Sequence, residues 1–271
     1  MIEQREICAL TKQTGLFVKS HILPKALTKP SVTGAPLLQS TQGKGYKKRF
    51  SSWYDKNLVI QQGEDILGRI DDAAIKALRQ NMLVWSSWHF YTPVFDPLSQ
   101  NSTDHSIRIF VPSSPKLLHK FFVSVAWRAC ESHLPDMKEA FAQDEHVELM
   151  RQSIVSETDL APNFFPVSLI QLTTKGETHN HTPILDIVKP PDHIGERFQE
   201  NSWEIIRIYL DGLIAHVHLN PQKEFAIDNP AFLGSTDQLA VTGVSYEASF
   251  QYKNLLINAM ECFGRSGTLE C

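Results

Sequence analysis

Between residues 58 and 78 the apolar side chains Leu58, Ile60, Ile66, Leu67, Ile70, Ala74, Ile75 and Leu78 recur at helical spacing. This is the pattern of a helix with one buried stripe, and it predicts a helix over about 61–80. A helix so amphipathic needs a partner surface, and the segments on either side offer two different ones. Upstream, residues 7–25 place Thr14-Gly15 between two short apolar stretches, which reads as a compact hairpin ending at Pro24. Downstream, helices are expected from Ser114 to about Ala129, opened by Ser113-Ser114-Pro115, and from about Pro135 to Ser153. Short Ile/Val/Leu-rich runs at Val167–Thr173, Ile184–Val188, Ile205–Tyr209 and Leu213–Leu219 read as strands, and a last helix is expected from about Tyr246 to Phe263. The class is therefore α+β, with modules expected over 1–90 and 91–271 and a soft boundary in the polar segment 92–107. Residues 29–52, rich in Gly, Pro, Ser, Thr and Lys, read as a long mobile loop. Trp85, Trp88, Phe90 and Tyr91 read as a packing seam between the halves.

Charge is unevenly distributed. The whole chain of 271 residues has a formal charge of -4, yet residues 1–57 hold ten basic side chains against three acidic ones, a balance of +7, which leaves -11 for the rest. A basic segment joined to an acidic body suits a polyanionic partner, although a solvated basic face with no partner explains the same numbers. Lys44, Lys47, Lys48 and Arg49, with Tyr46 and Phe50 among them, are candidate phosphate contacts, and Lys19 is a fifth. The charged start Met1–Glu6 lacks the apolar stretch of a signal peptide, and no apolar run approaches the roughly 20 residues of a membrane span, so a cytoplasmic protein is expected. Cys8, Cys130, Cys262 and Cys271 are scattered without a C-x-x-C pair, which suits neither a disulfide framework nor a self-contained zinc site. Cys130 and Cys262 are expected to be buried small hydrophobes.

Chemistry concentrates in two short segments. Lys19-Ser20-His21-Ile22-Leu23-Pro24 puts a His at the end of an apolar strand, and Asn57-Leu58-Val59-Ile60-Gln61-Gln62-Gly63-Glu64 puts an Asn before a helix and a carboxylate in its first turns. A strand His, a loop Asn and a helical ligand are the parts of a one-metal nuclease. The His removes a proton from water, the Asn holds the loop, and the helix residue helps hold a divalent ion against the charge of the transition state. Asp65 points about 100° away from Glu64 on a helix and is not expected as a second ligand.

These two segments resemble the HNH endonuclease superfamily with its ββα-metal core, in the branch whose strand His lies in a Ser-His-Ile-x-Pro motif. The branch's Asn-Leu-x-Cys-x-x-Cys-Glu motif aligns with residues 57–64 without a gap. Asn57 and Glu64 are retained, and Ile60 and Gly63 stand at the two cysteines. Cys8-Ala9-Leu10-Thr11 aligns with the first C-x-x-C and keeps one of its two thiols, and Ser124-Val125-Ala126-Trp127-Arg128 is similar to a Ser-x-x-Trp-Arg helix that accompanies the branch. The resemblance implies a ββα-metal core without structural zinc, held instead by apolar packing among Ile7, Leu10, Phe17, Ile60 and Leu67. It implies His21, Asn57 and Glu64 as catalytic residues, with His21 and Glu64 as the candidate metal-binding pair for one Mg²⁺ or Mn²⁺. The activity implied is hydrolysis of DNA phosphodiester bonds in bacterial defence or restriction, with RNA not excluded and with a protein partner or second copy allowed. The alternative from the same resemblance is a non-catalytic nucleic-acid-binding or interaction subunit. Outside it, His179-Asn180-His181 and His216-Val217-His218 each place two imidazoles on one face of a strand, so a separate metal site is a third reading beside that of surface histidines in a loop and a half-buried strand. Asp192-His193, after Pro190-Pro191, reads as a helix cap.

Overall fold

A computed structural model describes residues 6–29, 37–40, 46–101, 104–158, 161–177, 179–188, 203–219 and 226–266. In chain order the elements are β1 (Ser20–His21), β2 (Leu37–Ser40), β3 (Tyr46–Arg49), β4 (Tyr54–Asp55), α1 (Gln61–Gln80), β5 (Asp96–Pro97), β6 (His105–Phe110), α2 (Pro115–Glu131), α3 (Asp144–Val155), β7 (Val167–Leu172), β8 (His179–His181), β9 (Ile184–Val188), β10 (Trp203–Leu210), β11 (Leu213–His218), β12 (Leu239–Val244) and α4 (Phe250–Ser266). The protein is a mixed α+β structure, and none of its described helices is long and apolar enough to cross a membrane.

The amphipathic helix forms over the span its spacing predicts. Gly63, Leu67, Ile70, Ala74, Ile75, Ala77 and Leu78 are its buried face, and that face packs on α2. From Phe121 to Ala129 every residue of α2 is buried, Phe121, Phe122, Val123, Val125, Ala126 and Trp127 among them, as in a helix at the centre of a core. Its far side lies on β7, β10 and β11. One cluster of buried apolar side chains accordingly includes Cys8, Leu67, Phe121 and Val241. The sheet beneath has seven strands in the order β5-β6-β12-β7-β11-β10-β9, antiparallel throughout except where β12 runs parallel to β7.

Several expectations need correction. Phe17–His21 pairs with Tyr54–Ile60 rather than with residues 7–13. Ser20 stands opposite Asp55 and His21 opposite Tyr54, and Phe17 bridges to Ile60. The tight turn lies earlier than Thr14-Gly15: Lys12, with φ of 57°, donates its N–H to the Cys8 carbonyl (3.0 Å). The segment read as a long loop contains β2 and β3, and β2 runs parallel to β8, so distant sequence rather than local propensity orders it. β6 begins inside the polar segment 92–107, and β12 has no counterpart in the sequence reading. The second of the middle helices starts at Asp144 rather than near Pro135, and the last at Phe250 rather than Tyr246. Of the aromatic seam, Trp85 and Trp88 are buried in a second cluster with Leu172, Tyr209, Ile214 and Tyr246, whereas Phe90 and Tyr91 are exposed. Cys130 is partly buried against the core, and burial pushes its thiol up to about 12. The Cys262 side chain, Cys271, Asp192 and His193 lie outside the described residues.

β10 turns into β11 through Asp211 (φ 50°) and Gly212 (φ 82°), the two left-handed residues of a type I′ hairpin. A Cβ on Gly212 would run into the Trp85 indole. Gly212→Val is therefore expected to cost roughly 2 kcal/mol or more in urea unfolding, from strain and clash together. A loss below 0.5 kcal/mol would show that the turn relaxes freely.

Candidate active site

The paired strands β1 and β4 lie at the start of α1, and together these elements bring His21 and Glu64 close to one buried cation. That cation is Arg128 of α2. Its guanidinium makes five hydrogen bonds: Nη1 and Nη2 to the two Asp71 carboxylate oxygens (2.9 and 2.7 Å), Nη1 to the His21 carbonyl (3.0 Å), Nε to the Ser124 carbonyl (3.3 Å) and Nη2 to the Ser124 hydroxyl (3.3 Å). Five N–H groups and five acceptors leave no donor unsatisfied, which is the condition for holding a charge in a core. Asp71 is seven residues beyond Glu64, two helical turns along the same face of α1, so both carboxyls look toward the guanidinium.

Around this ion pair sit three buried polar atoms with no hydrogen-bond partner: Ser20 Oγ, His21 Nε2 and Glu64 Oε2. Burial lowers the His21 pKa from its ordinary value, with Lys19, Lys25 and Arg128 acting in the same direction against Asp71, so the imidazole is neutral near pH 7 and Nε2 can accept a proton. Burial raises the Glu64 pKa. The nearby Ser20 hydroxyl and Arg128 oppose the shift, while Asp71 and Asp65 add to it. The Ser20 hydroxyl lies close enough to Glu64 to favour its charged carboxyl. Asp65 turns outward and accepts a hydrogen bond from Gln61 (2.7 Å), as the helical phase predicts.

Asp55 is a residue the sequence reading missed. Buried opposite Ser20, it accepts the Asn57 backbone N–H (2.7 Å) and the Ser132 hydroxyl at the end of α2 (2.8 Å), so it fixes the loop that carries Asn57 and anchors that loop to α2. An acidic side chain two residues before the Asn, able to close an Asx turn, was the available signal.

Next to the hairpin, the positions aligned with zinc cysteines converge on one thiol. Cys8 Sγ accepts the backbone N–H of Thr11 (3.4 Å) and of Ile60 (3.5 Å), and a Cβ on Gly63 would lie 3.3 Å from it. A single thiol cannot hold a tetrahedral zinc. Leu10, Ile60 and Leu67 are buried around it and Phe17 is partly buried, whereas Ile7 is 52% exposed and contributes only its bridge to Thr14.

The basic candidates divide. Lys19 Nζ sits 3.8 Å above the Tyr54 ring, which in turn tilts against His21 (6.2 Å between centroids), so one cation is held beside the imidazole. Lys47, Lys48 and Arg49 are exposed on β3, the edge strand of the sheet that continues through β2 to β8. Lys44 lies outside the described residues.

The histidine pairs are not surface loops. His179, Asn180 and His181 are a buried strand, with Asn180 donating to the Thr28 carbonyl (2.9 Å) and His179 stacked on Tyr209 (5.7 Å between centroids). His216 Nε2 accepts a hydrogen bond from Arg207 Nε (3.2 Å), and Arg207 is ion-paired to Asp186 (2.6 Å). Arg207 thus lies between His216 and Asp186. Among the described residues no three His, Cys, Asp or Glu side chains converge to hold an ion.

No protein-family profile, curated protein or solved structure matches this chain.

Proposed function

We propose that this protein is a divalent-metal-dependent endonuclease that hydrolyses DNA phosphodiester bonds on an HNH-like ββα core. The observation that carries the reading is the trio of unpartnered, buried polar atoms on Ser20, His21 and Glu64 at the junction of hairpin and helix. Buried polar groups are almost always paired, so these three atoms at one junction leave hydrogen-bonding capacity that a ligand or water can fill. Neutral His21 Nε2 takes the proton from the attacking water. Asp55, through its bond to the Asn57 N–H, holds the loop leading into α1, and Arg128 holds the His21 backbone. Glu64 would hold one Mg²⁺ or Mn²⁺ with His21 beside it, and the ion when bound would supply Lewis-acid stabilisation of charge on the phosphoryl and leaving oxygens. Lys19 and the β3 cations Lys47, Lys48 and Arg49 hold backbone phosphates. A defence or restriction role belongs to this same proposal.

The small number of ligands favours a second reading, a non-catalytic nucleic-acid-binding subunit. Two side chains and a serine are a sparse set for a metal. Plasmid and single-strand cleavage in Mg²⁺ and in Mn²⁺ at low salt separates the two. His21→Ala and Glu64→Ala are each expected to lower cleavage by roughly 100-fold or more, and EDTA to abolish it. Salt-dependent DNA binding that survives His21→Ala, with no cleavage by the wild type, would replace the enzyme reading by the binding one. Lowering the pH through the depressed His21 pKa is expected to extinguish cleavage, because protonation removes the base.

A further inference from the structure

We propose that the outer face of the β5–β6 hairpin is where this protein pairs with a second copy of itself, the two hairpins packing face to face across a two-fold axis. Side chains along the hairpin divide between its two faces. Phe95 lies on the inner one, where a Cβ on Gly243 would run into its ring, and Phe110 packs there against the main core with the Arg108 guanidinium over its ring (4.1 Å). Asp96 stands opposite Ile107, and continuing that antiparallel register sets Val94 beside Ile109. Alternation then turns Val94, Leu98, Ile109 and Val111 outward, and all four are more than half exposed. Phe90 and Tyr91, on the approach to β5, are 93% and 79% exposed.

Farther along the sheet the same face is covered. Strand register puts Ile107 and Ile109 on one side with Ile170, His216 and Arg207. There Phe250 of α4 lies over Arg207 (4.0 Å), and Trp85 and Tyr246 pack with Ile170, Tyr209 and Ile214. That cover stops short of β6, where Ile109 is left exposed. An aromatic side chain carries about 150–250 Å² and an aliphatic one about 60–120 Å², so the six exposed side chains offer roughly 400–750 Å² of apolar surface. The patch reaches the upper end of what a monomer usually shows, about 300–600 Å². It also matches the apolar part of one half of a homodimer interface, about 65% of about 800 Å². Of the residues on this face only Asp96 and His105 are titratable, and both lie toward the loop end, with no Lys or Arg among them. A surface so poor in charge has nothing to hold a nucleic acid or a charged peptide, whereas like subunits meet through charge-depleted centres. A two-fold axis near Val94, Ile109 and Val111 sets apolar side chains against their own copies and leaves Asp96 at the rim. The assignment concerns assembly and does not depend on hydrolysis at His21.

Sedimentation velocity of the full chain from about 1 to about 100 μM tests it. A dimer is expected, with its dissociation constant raised roughly 100-fold or more in the Ile109→Glu/Val111→Glu double variant, whose exposed positions leave the melting temperature unchanged. Phe90→Ser/Tyr91→Ser, which lies outside the strands and adds no charge, is expected to weaken the dimer by roughly tenfold or more. Leu256→Glu/Met260→Glu, on the exposed side of α4, is expected to leave it intact. A wild type that stays monomeric throughout, a dimer unaltered by both hairpin variants, or one lost only through the α4 variant would overturn the proposal. Because mass is read rather than cleavage, an inert His21 leaves this result standing.

Discussion

Arg128→Met is expected to lower the unfolding free energy by about 3–5 kcal/mol, the largest loss of any single substitution near the site. The change leaves Asp71 as a half-buried carboxylate without its bidentate partner, and it also removes the guanidinium donor from the His21 carbonyl. Arg128→Lys keeps the charge but cannot span Asp71, His21 and Ser124 at once, so it is expected to recover only part of the loss. Adding Asp71→Asn to Arg128→Met should cost less than the two single effects together, since the uncompensated carboxylate is then gone. Urea unfolding of the four proteins measures this. A loss below 1 kcal/mol for Arg128→Met would mean that water replaces the guanidinium and that the ion pair does not hold the hairpin to α1 and α2.

Acid is expected to unfold this protein at a pH where ordinary carboxylates are still charged. Burial holds the pKa of His181 at about 4, that of His216 at about 3 and that of His218 at about 4, against an ordinary value of 6.5. The unfolded chain binds protons below its own pKa that the folded chain refuses, so stability is full above about pH 6.5 and falls as the pH drops toward the folded values. The slope is roughly 1.4 kcal/mol per pH unit for each histidine across that window. Three together approach the whole stability of a domain within a few units. Urea midpoints at successive pH values should therefore fall steeply below neutrality. His216→Gln, whose amide oxygen can still accept from Arg207 Nε, should flatten the fall by about one proton's worth. A midpoint that holds constant down to pH 5 would show that water reaches these imidazoles.

The difference between α1 and the histidine strands shows what was legible before folding. Within α1, helical phase alone aligns Glu64 with Asp71 and turns Asp65 away, whereas His21 meets β4 only across a segment that contains β2 and β3. His179 and His181 were misplaced because their surroundings are remote. β8 is ordered by parallel pairing with β2, about 140 residues earlier in the chain, and a parallel partner leaves no turn signal. β12 was missed for the same reason, since its pairing with β7 and β6 crosses long stretches of chain. The β10–β11 hairpin carries a local Asp-Gly signature, and both of its strands were found.

Sequence alone determined α1, the approximate positions of β7 and β9–β11 and the basic character of the first segment, because periodicity, turn chemistry and charge are local properties. Tertiary structure alone decided that Arg128 pairs with Asp71 beside His21, that Asp55 fixes the Asn57 loop, and that Arg207 joins His216 to Asp186. Each of these depends on which distant segments share a boundary, and that is set by how α2 is buried between α1 and the seven-stranded sheet.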